Sequence, residues 1–298
     1  MILVAGATGF LGREICRQLT AQGRPTRGLV RPSSNPEMVS QLRQWGVELV
    51  EGDLKDPESL KPACRGVSTV ISTVTATRSR QPDDSIEATD QQGQLNLVDA
   101  ARDAGVQRYV YISLSGQIYS DDPLTRAKRM VEERVRASGM TYTILRPSYF
   151  MEVWLSPPLG FDYPNGKATI YGSGEKPISW ISLPDVAAFA VHTSNAPAAE
   201  NATIELGGPD ALSPREVVRI FEEISGRSFE IQTVPEEALR VQKTAANNSL
   251  EETFAALMLA YARGNPVPMA ETLRRYPLSL RTVREYARQV LAIPTPAM

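Results

Sequence analysis

The amino-acid sequence predicts an α/β fold built on a parallel sheet, and two patterns in its first half support that prediction. Short runs rich in β-branched residues alternate with helical patterns, and a glycine-rich turn follows the first of these runs. Strands that alternate with helices form right-handed βαβ units, so the sheet should be doubly wound, with helices on both faces. Strands are predicted at residues 2–5, 26–30, 48–50, 69–73, 109–113 and 142–145, and helices near 11–22, 36–45, 57–65, 87–105 and 124–138.

The second half of the chain has a different character. Residues 149–163 are rich in aromatic residues and interrupted by proline and glycine, and the last sixty or so residues have helical patterns. Strands are predicted near 168–171, 178–182, 203–206 and 229–234, and helices near 184–194 and 213–225, the latter opened by a capping box at Ser213 and Glu216. We therefore expect one domain over residues 1–150 and a smaller one over 151–298, some of whose strands extend the first sheet.

Composition excludes several classes of protein. With 298 residues, 22% charged residues and a net charge of −2, the chain carries no basic surplus for nucleic acid or for an anionic membrane. No apolar run approaches the roughly 20 residues that span a bilayer, and the chain begins in a strand without a basic leader. We expect a cytoplasmic protein with a small-molecule substrate and without nucleic-acid or membrane partners, and we leave homo-oligomerisation open.

Metal and hydrolytic chemistry are not expected. Cys16 and Cys64 lack the spacing of a metal or redox site. The single histidine, His192, lies in an apolar helical pattern and is interpreted as a packing residue, so no second histidine is available to a metal or a catalytic triad.

The strongest motif is "VAGATGFLGRE", in which Gly6, Gly9 and Gly12 join the first strand to the first helix. The first glycine permits a tight turn, the second lets the backbone approach a pyrophosphate, and the third allows close packing of helix on strand. The free N–H groups of the helix start suit phosphate. This is a Rossmann-type dinucleotide site, and we assign cofactor binding to Gly6, Thr8, Gly9, Phe10, Leu11, Gly12 and Arg13.

The residue after the second strand indicates which dinucleotide binds. An NAD site usually has an acidic residue there for the ribose 2′-hydroxyl, but this chain has Arg31 and no acidic residue between Ile15 and Pro36. Arg31, with Ser33 and Ser34 beside it, could surround a 2′-phosphate, which a guanidinium fits well. NADP(H) is therefore the predicted cofactor. The alternative is that Arg31 is simply a solvated residue.

Other residues at strand ends are expected at the same edge of the sheet. Asp53 and Leu54 follow the third strand and could contact adenine, although Asp53 could equally only shape a turn. Thr73 and Val74 end the fourth strand, where the ribose and nicotinamide should pass. Ser113 ends the fifth strand, and either faces the reaction centre or caps the next turn.

A lysine occupies the inward face of the helix that starts at Pro123. Leu124, Lys128, Val131 and Val135 follow the spacing of a buried stripe. A ligand beside this face would explain why one of the four is charged. The alternatives are that Lys128 extends to the surface or pairs with Glu132 one turn on.

These motifs together resemble a known family. The glycine motif, "LVR", "GDL", "YISLSG", the helix with Lys128 and "YTILRPSYF" occur in the order found in the NmrA-like, atypical branch of the short-chain dehydrogenase/reductases. That branch includes isoflavone-reductase-like and triphenylmethane-reductase-like proteins. The resemblance covers most of residues 1–195, and it implies a Rossmann domain, a smaller C-terminal substrate domain and NADP(H).

The resemblance also implies roles for individual residues. Short-chain dehydrogenases carry Tyr-x-x-x-Lys on this helix, the lysine bonding the nicotinamide ribose; here the lysine matches as Lys128, but Leu124 stands at the tyrosine position. Tyr119, on the preceding loop, is the nearest replacement acid in the sequence; the alternative is that it is a packing residue. Pro147 and Phe150 are assigned to cofactor binding. Tyr149, Phe150 and Trp154 are expected to line the substrate pocket, with Phe150 near the nicotinamide, although clustered aromatics also form plain core.

The expected function is therefore an NADPH-dependent reductase that transfers hydride to a small carbonyl, enone or quinone-like substrate. The alternative is a non-catalytic NADP(H)-binding protein that serves as a redox sensor or as an assembly or regulatory factor. The missing tyrosine is compatible with both.

Overall fold

The structure is a computed structural model, and it describes residues 1–79 and 81–291. In chain order the strands are β1 (Ile2–Ala5), β2 (Thr26–Val30), β3 (Glu48–Glu51), β4 (Thr69–Ser72), β5 (Arg108–Ile112), β6 (Thr141–Pro147), β7 (Tyr149–Phe150), β8 (Phe161–Asp162), β9 (Lys167–Tyr171), β10 (Ile178–Ile181), β11 (Ala202–Leu206), β12 (Ala211–Leu212) and β13 (Glu230–Val234).

The helices follow the same order. They are α1 (Phe10–Ala21), α2 (Pro36–Gln44), α3 (Pro57–Cys64), α4 (Gln94–Asp103), α5 (Pro123–Ala137), α6 (Met151–Trp154), α7 (Leu183–Thr193), α8 (Pro214–Ser225), α9 (Glu236–Thr244), α10 (Ser249–Arg263), α11 (Ala270–Arg275) and α12 (Val283–Leu291). A π-helical segment, Ile86–Gly93, runs directly into α4.

The central sheet has the strand order β11-β6-β5-β4-β1-β2-β3. Its pairs from β3 through β6 are parallel, and the expected α/β, Rossmann-type fold is confirmed. The strand order reverses between β1 and β4, and ligands of such sheets bind at the carboxyl ends of the strands beside that switch. Strand β11, from the second half of the chain, forms one edge of this sheet.

Local sequence explains why the surrounding helices begin where they do. Asn35 and Asp56 each accept a backbone N–H of the helix that follows, and a proline occupies the first helical position of both α2 and α3. The apolar faces of α3, α4 and α5 pack with the strands in one buried cluster that includes Leu3, Val70 and Val131.

The chain forms two compact units, each with its own contacts. The first comprises residues 1–114, 122–146 and 186–204, and the other described residues form the second. The boundary at residue 150 stays a prediction.

The second unit contains two three-stranded sheets, β12-β10-β7 and β13-β9-β8. The predicted capping box is confirmed, because the Ser213 hydroxyl accepts the Glu216 N–H while the Glu216 carboxylate accepts the Ser213 N–H. Among residues 1–79 and 81–291, no helix is long and apolar enough to cross a membrane.

Two expectations about helices were wrong in part. The helix predicted near 87–105 is π-helical over Ile86–Gly93 and α-helical only over Gln94–Asp103. His192 is exposed and not buried in the core, because it shares a helix stripe with the half-buried Pro184 and Ala188 while the rest of α7 is buried.

Candidate active site

The glycine turn has the geometry that its sequence predicts. Gly6 has a φ of +82°, and the Gly9 N–H donates to the Gly6 carbonyl at 2.9 Å, which closes the turn before α1. A Cβ on Gly12 would lie 2.1 Å from the Gly6 oxygen, so only glycine lets α1 start this close to β1. Gly9 and Phe10 are exposed, and Thr8, Leu11 and Arg13 are half-buried.

Arg31 is partly buried at the end of β2, in an ion pair that the sequence did not predict. Its Nη1 lies 3.0 and 2.8 Å from the two carboxylate oxygens of Asp84. The nearly buried Asp84 also accepts from Lys55 Nζ at 2.8 Å and from the Ser79 hydroxyl. These partners, with Arg31, hold the pKa of Asp84 down at about 2 against the opposing effect of burial.

The residues around Arg31 shape turns. The Arg31 N–H donates to the Ser34 hydroxyl at 2.9 Å, and Ser33 is exposed. Asp53 accepts the Lys55 N–H at 2.9 Å, as its turn-forming alternative predicts, and Leu54 is buried. The contacts of Asp53 and Leu54 with adenine, and those of Arg31 and Ser33 with a 2′-phosphate, stay predictions.

The end of β4 lies against the glycine turn. The Thr73 hydroxyl donates to the Ala5 carbonyl at 3.1 Å, and a Cβ on Gly6 would lie 2.5 Å from that hydroxyl. The Val74 carbonyl accepts from the buried Gln94 side chain. The structure therefore brings the ends of β1 and β4 together, as expected at the switch point.

Lys128 lies on the buried face of α5, as its spacing predicts. Its side chain is 6% exposed, and Nζ lies 3.4 Å from the Ile112 carbonyl at the end of β5 and 5.2 Å from the Tyr111 ring centre. The amine neither reaches solvent nor pairs with Glu132, whose carboxylate is held by arginines. Burial lowers the pKa of Lys128, although Asp90 opposes that shift.

Asp90, on the π-helical segment, is the acidic partner of Lys128. It is fully buried, and its Oδ1 lies 3.5 Å from Lys128 Nζ without forming a hydrogen bond in the described residues. Its Oδ2 accepts the Ala76 N–H at 2.8 Å. Burial raises the pKa of Asp90, and the charge of Lys128 opposes that rise.

Ser113 does not face this lysine. Its hydroxyl donates to Glu132 Oε1 at 2.5 Å, and the same carboxylate pairs with Arg129, Arg136 and Arg146. The hydrogen bond from Ser113 to this ion cluster gives the hydroxyl a structural role, and its contact with a cofactor stays a prediction.

The remaining predicted residues belong to the second unit. Tyr119 is 75% exposed. Phe150 is half-buried, and Pro147 and Tyr149 are buried. Tyr149 and Trp154 pack edge to face at 4.7 Å, and the Tyr149 hydroxyl donates to the Leu257 carbonyl. These contacts give the two aromatics a packing role, while their contact with substrate stays a prediction.

Sequence reasoning missed two carboxylates, Asp84 and Asp90, and it named Glu132 only as an alternative partner of Lys128. A signal for Asp90 was present, because it shares a helix face with Gln94, Leu97 and Ala101, all buried. It is thus a charged residue on an apolar stripe, as Lys128 is. Asp84 precedes the helical segment and has no such neighbours in the sequence.

A glycine turn between β1 and α1, at the switch point of a parallel sheet, defines a dinucleotide-binding protein of the Rossmann class. The chain belongs to the NmrA-like family, whose model matches residues 1–287. The family expected from the motifs is thereby confirmed.

Three relatives illustrate the range of this family. The chain is 32% identical over 241 residues to the photosystem II assembly factor Ycf39 of Cyanophora paradoxa, and the matched region covers 78% of this chain and 71% of that protein. It is 30% identical over 296 residues to the NAD(P)H azoreductase of Xenophilus azovorans, covering 97% of each. The solved structure of Citrobacter sp. triphenylmethane reductase, complexed with NADP(H), is 26% identical with a TM-score of 0.78, over 97% of this chain and 99% of that one.

Proposed function

We propose that this protein is an NADPH-dependent reductase that transfers hydride to a small carbonyl, enone or quinone-like acceptor. The enzyme class and the cofactor follow from the family and from its azoreductase and triphenylmethane reductase relatives. The observation that carries the finer proposal is Lys128, a buried amine at the carboxyl end of β5, beside the switch point of the sheet.

The residues present fit a bound NADP(H). The glycine turn leaves Gly9 exposed at the start of α1, where backbone N–H groups suit a pyrophosphate. Lys128 has only long contacts, at 3.4 and 3.5 Å, so its amine retains donors for ribose hydroxyls. When bound, the cofactor supplies the hydride.

Lys128 has two tasks in this proposal. Its ammonium anchors the ribose and stabilises the negative charge that develops on the acceptor as hydride arrives. Since Leu124 replaces the usual tyrosine, the proton comes from water or from Tyr119, whose exposed side chain lies on the loop before α5. A positioned acid is worth about 10²–10⁴ in rate, so its absence slows hydride transfer without abolishing it.

The direct test is cofactor consumption. The protein is incubated with NADPH and a panel of quinones, enones, aldehydes and dyes, and loss of the reduced nicotinamide is followed by absorbance. We expect at least one member of the panel to be reduced. Lys128→Met should then lower turnover by about a hundredfold or more while NADPH binding stays measurable; unchanged turnover would remove Lys128 from the mechanism.

The exposed Lys61 offers a matched control. Lys61→Met makes the same chemical change at a side chain that is 65% exposed on α3 and should leave turnover unchanged. A comparable loss in both variants would mean that the effect of Lys128→Met is not local to the site.

The alternative is a protein that binds NADP(H) without turnover and acts as a sensor or assembly factor. Two observations favour it: Leu124 at the tyrosine position, and the 32% identity to an assembly factor. The same panel separates the two, because such a protein would bind NADPH and oxidise it with no acceptor.

A further inference from the structure

We propose that Asp90 is a positioning residue for Lys128, whose buried carboxylate holds the lysine amine beside the end of β5 and keeps it protonated. This inference deepens the proposed function and rests on it for its catalytic meaning. The coupling between the Asp90 carboxylate and the Lys128 amine can be measured on the protein without cofactor.

The carboxylate is fixed from the side opposite the lysine. Oδ2 accepts the Ala76 N–H at 2.8 Å, and the π-helical segment that carries Asp90 is itself capped by the Ser85 hydroxyl, which accepts from Ala88 at 3.0 Å. Oδ1 is left facing Lys128 Nζ at 3.5 Å, and within the described chain it has no hydrogen bond. One oxygen therefore anchors the side chain, while the other is directed to the amine.

Burial makes such a partner necessary. An isolated ammonium in an apolar interior loses its proton rather than bear the desolvation cost, and an opposite charge within about 4–6 Å restores the charged form. Glu132, the other acidic residue that acts on Lys128, is ionised, but its charge is balanced by ion pairs with Arg129 and Arg146. Asp90 is thus the carboxylate whose charge remains for the lysine.

Four groups act on this amine from the surrounding elements: Asp90 on the π-helical segment, Tyr111 on β5, and Arg129 and Glu132 on α5. Burial raises the pKa of the Tyr111 hydroxyl well above its usual value, so it stays neutral. The surrounding cations hold the pKa of Glu132 at about 2, so it stays charged. The charge that remains to set the state of Lys128 at neutral pH is that of Asp90.

The consequence for the reaction is a lysine that is still an ammonium when hydride arrives. A neutral amine could donate a hydrogen bond to a ribose, but it would lack the positive charge that stabilises an incipient oxyanion. Asp90 contacts neither the substrate nor the reacting atoms, and it acts only through Lys128.

The test measures the protonation of Lys128 directly. In protein labelled with ¹³C at the lysine ε-carbon, the chemical shift of that carbon follows the protonation of each amine, and the signal that disappears in Lys128→Met is assigned to Lys128. We expect Asp90→Asn to lower the protonation midpoint of Lys128 by about one to three pH units. A midpoint equal to that of the unsubstituted protein overturns the proposal.

A matched control is available on the helix that continues from the π-helical segment. Asp99→Asn, on α4, makes the same change at a partly exposed carboxylate that pairs with Arg134, and it should leave the Lys128 midpoint unchanged. An equal shift in this variant would show that general charge, and not the Asp90 contact, sets the midpoint, and would also overturn the proposal.

A second variant keeps the test valid if Asp90→Asn does not fold. Coupling acts in both directions, so Lys128→Met should raise the protonation midpoint of Asp90, followed by the carboxyl ¹³C resonance in protein labelled at aspartate. An unmoved Asp90 midpoint overturns the proposal. Both measurements need no turnover, so they stand even if every acceptor in the panel fails and the reductase proposal falls.

Discussion

At the scale of single residues, Arg31 shows how an internal anion can prepare a cation for a ligand. The Asp84 carboxylate accepts hydrogen bonds only from Nη1 of the Arg31 guanidinium. Within residues 1–79 and 81–291, Nε and Nη2 of Arg31 make no hydrogen bond, and the side chain is 32% exposed. The ion pair therefore fixes the guanidinium plane at the end of β2 and leaves donors for a second anion.

Arg31→Ala should weaken NADPH binding by about ten- to a hundredfold, the value of a hydrogen bond to a charged group. NADH lacks the 2′-phosphate, so its affinity should change little. Dissociation constants for both cofactors, measured by fluorescence titration, check the prediction. Arg43→Ala, at an exposed arginine on α2, is the control and should change neither constant. An equal loss for NADH would contradict a 2′-phosphate role.

At the scale of elements, two glycines of the same turn should have separable effects. A Cβ on Gly12 would lie 2.1 Å from the Gly6 carbonyl oxygen, which forces α1 away from β1. A Cβ on Gly9 would lie 3.1 Å from the same oxygen, and Gly9 has an ordinary φ of −74° and is exposed. Gly12 thus serves packing, while Gly9 serves close approach of a ligand.

We expect Gly12→Ala to lower the free energy of unfolding by about 1–3 kcal/mol, because the helix must shift. It should also weaken NADPH binding. Gly9→Ala should keep nearly the original stability and lose affinity, since the added methyl group occupies the approach to the pyrophosphate. Urea unfolding and NADPH titration of both variants check this. Equal stability losses in the two variants would contradict the division of roles.

Most elements could be predicted from the sequence because their signals are local. Each of these signals depends only on neighbours along the chain. They are the helix starts at Asn35-Pro36 and Asp56-Pro57, the glycine turn, and the periodic patterns of apolar residues in helices and strands. The π-helical segment could not be predicted in this way. Its wide turns coincide with packing of Gly93 against Leu54, where a Cβ would lie 2.9 Å from the Leu54 Cβ.

At the scale of the whole molecule, the sequence predicted that Lys128 lies on the buried face of its helix, but not which charges pair with it or with Arg31. Lys128 was singled out because it is a charged residue among the apolar residues of its own helix face. Its partner Asp90 lies 38 positions earlier, and Asp84 lies 53 positions from Arg31. A net charge of −2 says nothing about which acids are buried, since that choice depends on contacts between distant segments.

The buried ion cluster around Glu132 should make the stability of the molecule depend on pH. Glu132 is fully buried, and Arg146, Ser113 and Arg129 lower its pKa from 4.5 to about 2 against the opposing effect of burial. The unfolded chain therefore binds this proton more readily than the folded one. The stabilisation is fully present above pH 4.5 and is lost as the pH falls towards 2.

Glu132→Gln removes this charge, so the difference in free energy of unfolding between the original protein and the variant should shrink as the pH falls. A shift of this size corresponds to about 3 kcal/mol, as an order of magnitude. Urea unfolding from pH 7 down to the acid limit of folding gives the difference at each pH. Glu133→Gln, at the exposed neighbour on α5, should show no such trend. A Glu132→Gln difference that stays constant with pH would mean that the carboxylate is not held ionised by its arginines.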